Sequence, residues 1–172
     1  MIFAFHWLQF CVILMPMHLE RRRRLAESFI NRADNKIDEA RSYLKNFRFP
    51  ESISAAQECI ELSVKAIFLL LGHEYPKKHE FEEKDFERIL ESLPKNLNYL
   101  KIPCLYLYSR FWSSFYTVAK YGLERLGVGP EELFDRPEAE LAIKHAEKCL
   151  STARTLRDLL ISQLISQKMK EE

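Results

Sequence analysis

The stretch from Phe49 to Gly72 limits the fold more than any other part of the chain. Ile53, Ala56, Ile60, Val64, Ile67 and Leu71 recur at spacings of three and four, and Ala55, Cys59, Leu62, Ala66 and Leu69 widen that seam on its flank. A period near 3.6 means a helix, and an apolar surface this wide is stable only when other helices cover most of it. The ends agree. Pro50 suits the first turn, where its missing N–H would be unpaired anyway; Glu51 complements the positive end of the helix dipole; Gly72 can cap the far end in a left-handed conformation. The remaining polar stripe is Gln57, Glu58, Glu61 and Lys65, with Glu61 and Lys65 at the favourable i,i+4 spacing.

A helix that must be surrounded needs partners, and the rest of the chain supplies them. Ala26, Phe29, Ala33, Ile37, Ala40, Leu44 and Phe47 form one stripe of a helix expected from about Leu19 to Phe47. After a loop from His73 to Glu80, Phe86, Ile89, Leu90 and Leu93 mark a short helix stopped by Pro94. Leu105, Ser109, Trp112, Tyr116, Ala119, Leu123 and Leu126 alternate by four and three, predicting one long helix from near Pro103 to Gly127. Asp135 and Glu138 form a capping box opening a last helix, whose apolar face runs from Ala139 through Cys149 and Leu156 to Leu164 and ends near residue 166. The tail, Lys168 to Glu172, is expected to fray. These elements predict an all-α fold, an antiparallel up-and-down helical bundle of four long helices plus one short helix, over residues 19–168 and without β-sheet.

Composition excludes several function classes. With 172 residues there is room for one domain. The four glycines, at 72, 122, 127 and 129, cannot write a dinucleotide or P-loop phosphate motif. A net charge of +1 gives no bulk drive toward nucleic acid. Cys11, Cys59, Cys104 and Cys149 are too far apart for a zinc site, no Asp-x-Asp pair is present, and thiols on apolar helix faces point to buried, reduced cysteines in a cytoplasmic protein. No metal or other cofactor is expected. Residues 1–18 are separate in character: the first 17 carry no charge and precede Arg21 to Arg24. Three readings fit: an extension upstream of a true start at Met15 or Met17, a helix packing on the bundle or a partner, or a short membrane anchor. The run before Pro16 is shorter than the roughly 20 residues a spanning helix needs, so membrane association is the least favoured of them.

FPESISAAQECIELSVKAIFLLLG (Phe49 to Gly72) resembles the second helix of HEPN domains, of the kind common in archaea and bacteria. Pro76-Lys77-Lys78-His79-Glu80-Phe81 resembles that family's Pro/His-containing loop, and the segments Ser109 to Phe134 and Ala139 to Leu150 are also similar. The likeness covers about residues 20–165. It implies an up-and-down helical bundle that dimerises through helix faces. It also implies, for many members, pairing with a small nucleotidyltransferase as the toxin of a toxin–antitoxin system, and metal-independent ribonuclease activity built on an Arg-x4–6-His motif. Members without that motif serve as binding modules, and the family name refers to nucleotide binding.

Metal-independent RNA cleavage needs a base for the 2′-hydroxyl and a cation for the developing phosphorane charge. Arg110 is the candidate cation, but the positions that should hold the histidine are Phe115, Tyr116 and Thr117. His145 lies nine residues beyond Arg136, outside the motif and half a turn away around a helix. Its place among Ala142, Ile143 and Ala146 suits a structural histidine. The sequence therefore departs from the ribonuclease pattern. Arg110 with Ser113, Ser114, Thr117, Tyr121 and Glu124 would instead form a polar stripe, with Lys120 adjacent, able to hold a phosphate or stack a base. The bland alternative is a solvated or dimer-packed face. His79 beside Lys77 and Lys78 is a further candidate phosphate contact, or a local cap. Gln57, Glu61 and Lys65 could line a cleft shared with Arg110, or form an internal network. The many aromatics of the fourth helix, Tyr106, Tyr108, Trp112, Tyr116 and Tyr121, cannot all face inward, which favours a partner surface.

The expected function is a homodimeric HEPN module binding nucleotide, RNA or a cognate nucleotidyltransferase antitoxin, as the toxin-side component of such a pair. The alternatives are a ribonuclease with a non-standard base, such as Tyr116 or His79, and a membrane-tethered scaffold.

Overall fold

The computed structural model describes the backbone of residues 3–77 and 80–171, with side chains placed for 20–77, 80–162, Ser166 and Met169. Six helices follow one another: α1 (Phe3–Lys45), α2 (Phe49–Leu70), α3 (Glu83–Ser92), α4 (Ile102–Ser113), α5 (Tyr116–Tyr121) and α6 (Arg136–Glu171). Short 3-10 turns occupy Lys95–Leu100, Glu124–Leu126 and Pro130–Glu132. Among the described residues the only β pairing is an isolated bridge between Leu123 and Val128. The all-α bundle read from periodicity is the observed class.

α2 is the centre. It packs on α1 and α6, and on its remaining side on α4 and α5. Ile53, Ile60, Val64, Ile67 and Phe68 are fully buried, and each such side chain stabilises the fold by about 1.5–3 kcal/mol relative to exposure. Gly72 closes α2 as expected, at φ +84°. The Gly72 N–H donates to Leu69 O and the His73 N–H to Phe68 O, the paired bonds of a Schellman motif. Arg22 of α1 donates to the Gly72 carbonyl at 2.5 Å, tying the first helix to the end of the second. Phe81 and Phe86 stack on and edge against Phe68, and Phe86 meets Tyr106, so an aromatic cluster docks α3 onto α2 and α4.

Several boundaries differ from expectation. α1 begins at Phe3 rather than near Leu19. Among the described residues no helix is long and apolar enough to cross a membrane. Phe47 lies beyond α1 at φ +60° and points outward, 72% exposed, instead of completing the core stripe. α6 continues to Glu171, past the end expected near 166. The largest correction concerns the single fourth helix, which is two. α4 stops at Ser113, the Phe115 N–H donates to Trp112 O three residues back, and α5 starts at Tyr116. The hydroxyls of Ser113 and Ser114 donate to the carbonyls of Arg110 and Phe111. This local side-chain competition for backbone carbonyls weakens a helix where two such residues adjoin. α5 ends where Gly122 takes φ +70°, so Leu123 and Leu126, expected in the seam, are exposed.

Candidate functional site

α4 has an inner and an outer face, both apolar. Leu105, Ser109 and Trp112 point into the core. Leu107 and Phe111, one turn apart, point out, 62% and 49% exposed. Arg110 stands on the same outer face, exposed, with Glu80 of the preceding loop 3.5 Å away as its ion-pair partner. That separation and exposure make a weak pair, so the guanidinium is available to another anion.

The break after α4 divides the stripe proposed from sequence. Arg110 and Ser114 sit at one end of it, while Thr117, Lys120 and Tyr121 belong to α5. Thr117 and Tyr121 are exposed. Lys120 turns toward the bundle, donating to the Tyr116 hydroxyl at 2.6 Å and facing Glu58 at 3.8 Å. These contacts raise its pKa, the hydrogen bond to Tyr116 most of all. Glu124 falls in a 3-10 turn rather than on the helix. His79 lies outside the described residues.

Of the polar stripe of α2, Glu58 and Glu61 line a cleft, while Gln57, Lys65 and Arg110 do not. Two adjoining cavities of about 280 and 250 Å³ meet at Glu58, between α1, α2 and α5. Glu58 receives Lys36 of α1 at 3.2 Å on one side and Lys120 on the other. The pKa of Lys36 is raised, first by its hydrogen bond to Glu39 and then by Glu58. Glu61 pairs with Lys65 at 2.6 Å, as the i,i+4 spacing predicts, and both are largely buried. Gln57 is 3% exposed, and Arg110 lines neither cavity. The cleft therefore joins Glu61 of the predicted group to Lys120, and leaves Arg110 on a different surface.

His145 is held as a structural residue. The Trp112 indole N–H donates to its Nδ1 at 3.0 Å, and its ring stacks on Tyr108 at 3.9 Å. Burial and the neighbouring Lys144 lower its pKa. Arg136, nine residues before it, pairs instead with Glu140 and lies over the rings of Phe47 and Phe49. No Arg-x4–6-His motif occurs in the sequence, and among the described residues no cluster of acidic, histidine or cysteine side chains could hold a metal ion.

Sequence reasoning passes over Leu107, Phe111 and Lys36. The first two are legible, since an i,i+4 apolar pair off the main seam leaves a second apolar face on the same helix. Lys36 becomes significant only through the packing of α1 and α5 on α2.

An all-α helical bundle is the fold that the resemblance to HEPN domains implies. The HEPN domain pattern matches residues 26–157, and the chain belongs to that family. It is 26% identical over 137 residues to a Methanocaldococcus jannaschii protein named "Putative toxin MJ1304", covering 76% of this chain and 87% of that one. Its fold is similar to the crystal structure of TT1696 from Thermus thermophilus, with a TM-score of 0.57 at 19% identity, over 76% of this chain and 97% of that chain.

Proposed function

We propose that this protein is a dimeric HEPN binding module, the toxin-side component of a HEPN/nucleotidyltransferase pair, and that it works through the outer face of α4. One observation carries the reading: Leu107 and Phe111 lie exposed on either side of Arg110 along that helix. Large apolar side chains flanking an arginine are the composition of interface centres. The likeness to a relative named as a toxin favours the toxin-side role. The missing histidine argues for recognition, by Arg110 with Ser114 and Tyr121, over strong catalysis. A partner of this kind, and any RNA or nucleotide ligand, would place the protein in the cytoplasm.

The test is purification of the natively expressed protein, with bound nucleic acid read by absorbance ratio and partners by mass spectrometry. A nucleotidyltransferase in the eluate, lost in Leu107→Glu/Phe111→Glu, supports the reading. Recovery of the same partner with that double variant removes the α4 face from it. The rival is a ribonuclease, favoured by the hydrogen bond between the Tyr116 hydroxyl and the Lys120 ammonium. RNA left intact after prolonged incubation with the pure protein ends that rival; cleavage abolished in Tyr116→Phe establishes it.

A further inference from the structure

The turn between α1 and α2 holds a side chain that the fold does not require. The Arg48 N–H donates to Tyr43 O and the Phe47 N–H to Leu44 O, the paired bonds that close α1. The residue at that closing position takes a left-handed conformation, which glycine adopts freely and a bulky residue does not. Here it is Phe47, at φ +60°. Burial does not offset the strain, because the ring is 72% exposed. A strained residue that packing leaves unexplained points to a task at the surface.

Its surroundings narrow that task. From Arg41 to Arg48 the chain carries three cations, Arg41, Lys45 and Arg48, and no acid. All three are exposed. Lys45 forms no ion pair with a described residue. Arg41 and Arg48 pair with carboxylates from outside the stretch, and such exposed pairs hold weakly. Arg136, at the start of α6, brings its guanidinium to 5.2 Å from the centre of the Phe47 ring and 5.7 Å from that of Phe49. The two rings meet edge to face at 6.3 Å. The carboxylate of Glu140 is 3.4 Å from Arg136, again in an exposed pair. Phe47 is the one large apolar side chain exposed between Arg41 and Glu51. A protein interface would set it among apolar neighbours. A single exposed ring among cations suits a nucleobase, which stacks on the ring while the cations meet the phosphates.

We infer that this corner, built by the end of α1, the start of α2 and the start of α6, binds single-stranded nucleic acid. A base stacks on Phe47, and Lys45, Arg48 and Arg136 lie against the flanking phosphates. The net charge of the chain is only +1, so the attraction comes from this local set of cations. The corner shares no residue with the α4 face, and its failure would leave the proposed function standing.

The test is fluorescence anisotropy of a labelled oligouridylate and, separately, a labelled oligodeoxythymidylate, titrated with the full chain at low, constant ionic strength. Saturable binding is expected. Phe47→Gly should weaken it about tenfold, the scale of one lost base stack. The same variant should keep the melting temperature equal or higher, because glycine takes the left-handed conformation without strain. Phe47→Trp should retain the affinity and Phe47→Leu should lose it, since a leucine offers no π face. Arg136→Gln should weaken binding and flatten its dependence on salt. Tyr99→Ala is the control. It removes an exposed ring, on the turn Lys95–Leu100, and should bind as the wild type does. Tighter binding of the oligouridylate identifies RNA as the ligand; equal binding identifies a site that accepts either strand. The inference is overturned by an absence of saturable binding, by binding indifferent to Phe47→Gly, or by an equal loss in Tyr99→Ala. Full affinity in Phe47→Leu would also overturn it, and would make the side chain an apolar contact for a protein.

Discussion

His145 illustrates how much a single side chain can hold in place. It sits on α6, yet both its ring contacts, the Trp112 N–H and the Tyr108 face, belong to α4. Nδ1 must be unprotonated to accept from Trp112. Its folded pKa is lowered from 6.5 by burial and then by Lys144, so below that value the unfolded chain takes up the proton first. This contribution to stability is therefore complete above pH 6.5 and declines as the pH falls through the window beneath it. Denaturant titrations across that range should show the decline in the wild type and lose it in His145→Leu. The thiols behave oppositely. Burial pushes Cys59 up to about 12 and raises Cys149 as well, so neither should react with a thiol reagent at neutral pH until the protein is denatured, as peptide mass spectrometry can read. The burial of these cysteines was legible from their place in apolar helical patterns. The bond between Trp112 and His145 was not, because it joins residues of two helices whose relative rotation no local spacing records.

Among the elements, periodicity located α2 and the start of α6 well, because α2 has one dominant face closed by Gly72 and α6 opens where the Asp135 N–H donates to Glu138. It failed between α4 and α5. The four-three alternation from Leu105 to Ala119 is real, with Leu105, Ser109, Trp112 and Ala119 all buried, but it persists through a break that costs only a fraction of a turn. Nothing in residue type except the adjacent Ser113 and Ser114 signals the interruption. The end of α5 is fixed by Gly122, where an added Cβ would lie 2.2 Å from the Val128 carbonyl oxygen and the φ of +70° is unsuited to other residues. Gly122→Ala should cost about 2 kcal/mol or more, measured by thermal or denaturant unfolding. Gly127→Ala meets no nearby atom and should cost only the strain of its positive φ, about 1 kcal/mol.

For the molecule as a unit, the core lies between α1, α2 and α6, and the surface pairs Arg41–Glu147 and Arg157–Glu27 that staple α1 to α6 contribute little by comparison. Ile60→Ala, at the centre, should cost about 2–5 kcal/mol. Arg110→Ala should shift stability by under about 0.5 kcal/mol, as exposed substitutions do; a loss of several kcal/mol would make Arg110 structural and remove it from the site. The fold was legible because burial imposes a period on sequence. The site was less so. The histidine that would have marked it is absent, and the orientation of a helix with apolar residues on two faces is decided only by packing. If the outer face of α4 is an interface, sedimentation velocity over a concentration series will show it. A dimer is expected for the wild type, and a stable, fully helical monomer for Leu107→Glu/Phe111→Glu. A wild type that stays monomeric at every concentration, or a double variant that dimerises as tightly, would contradict that assignment.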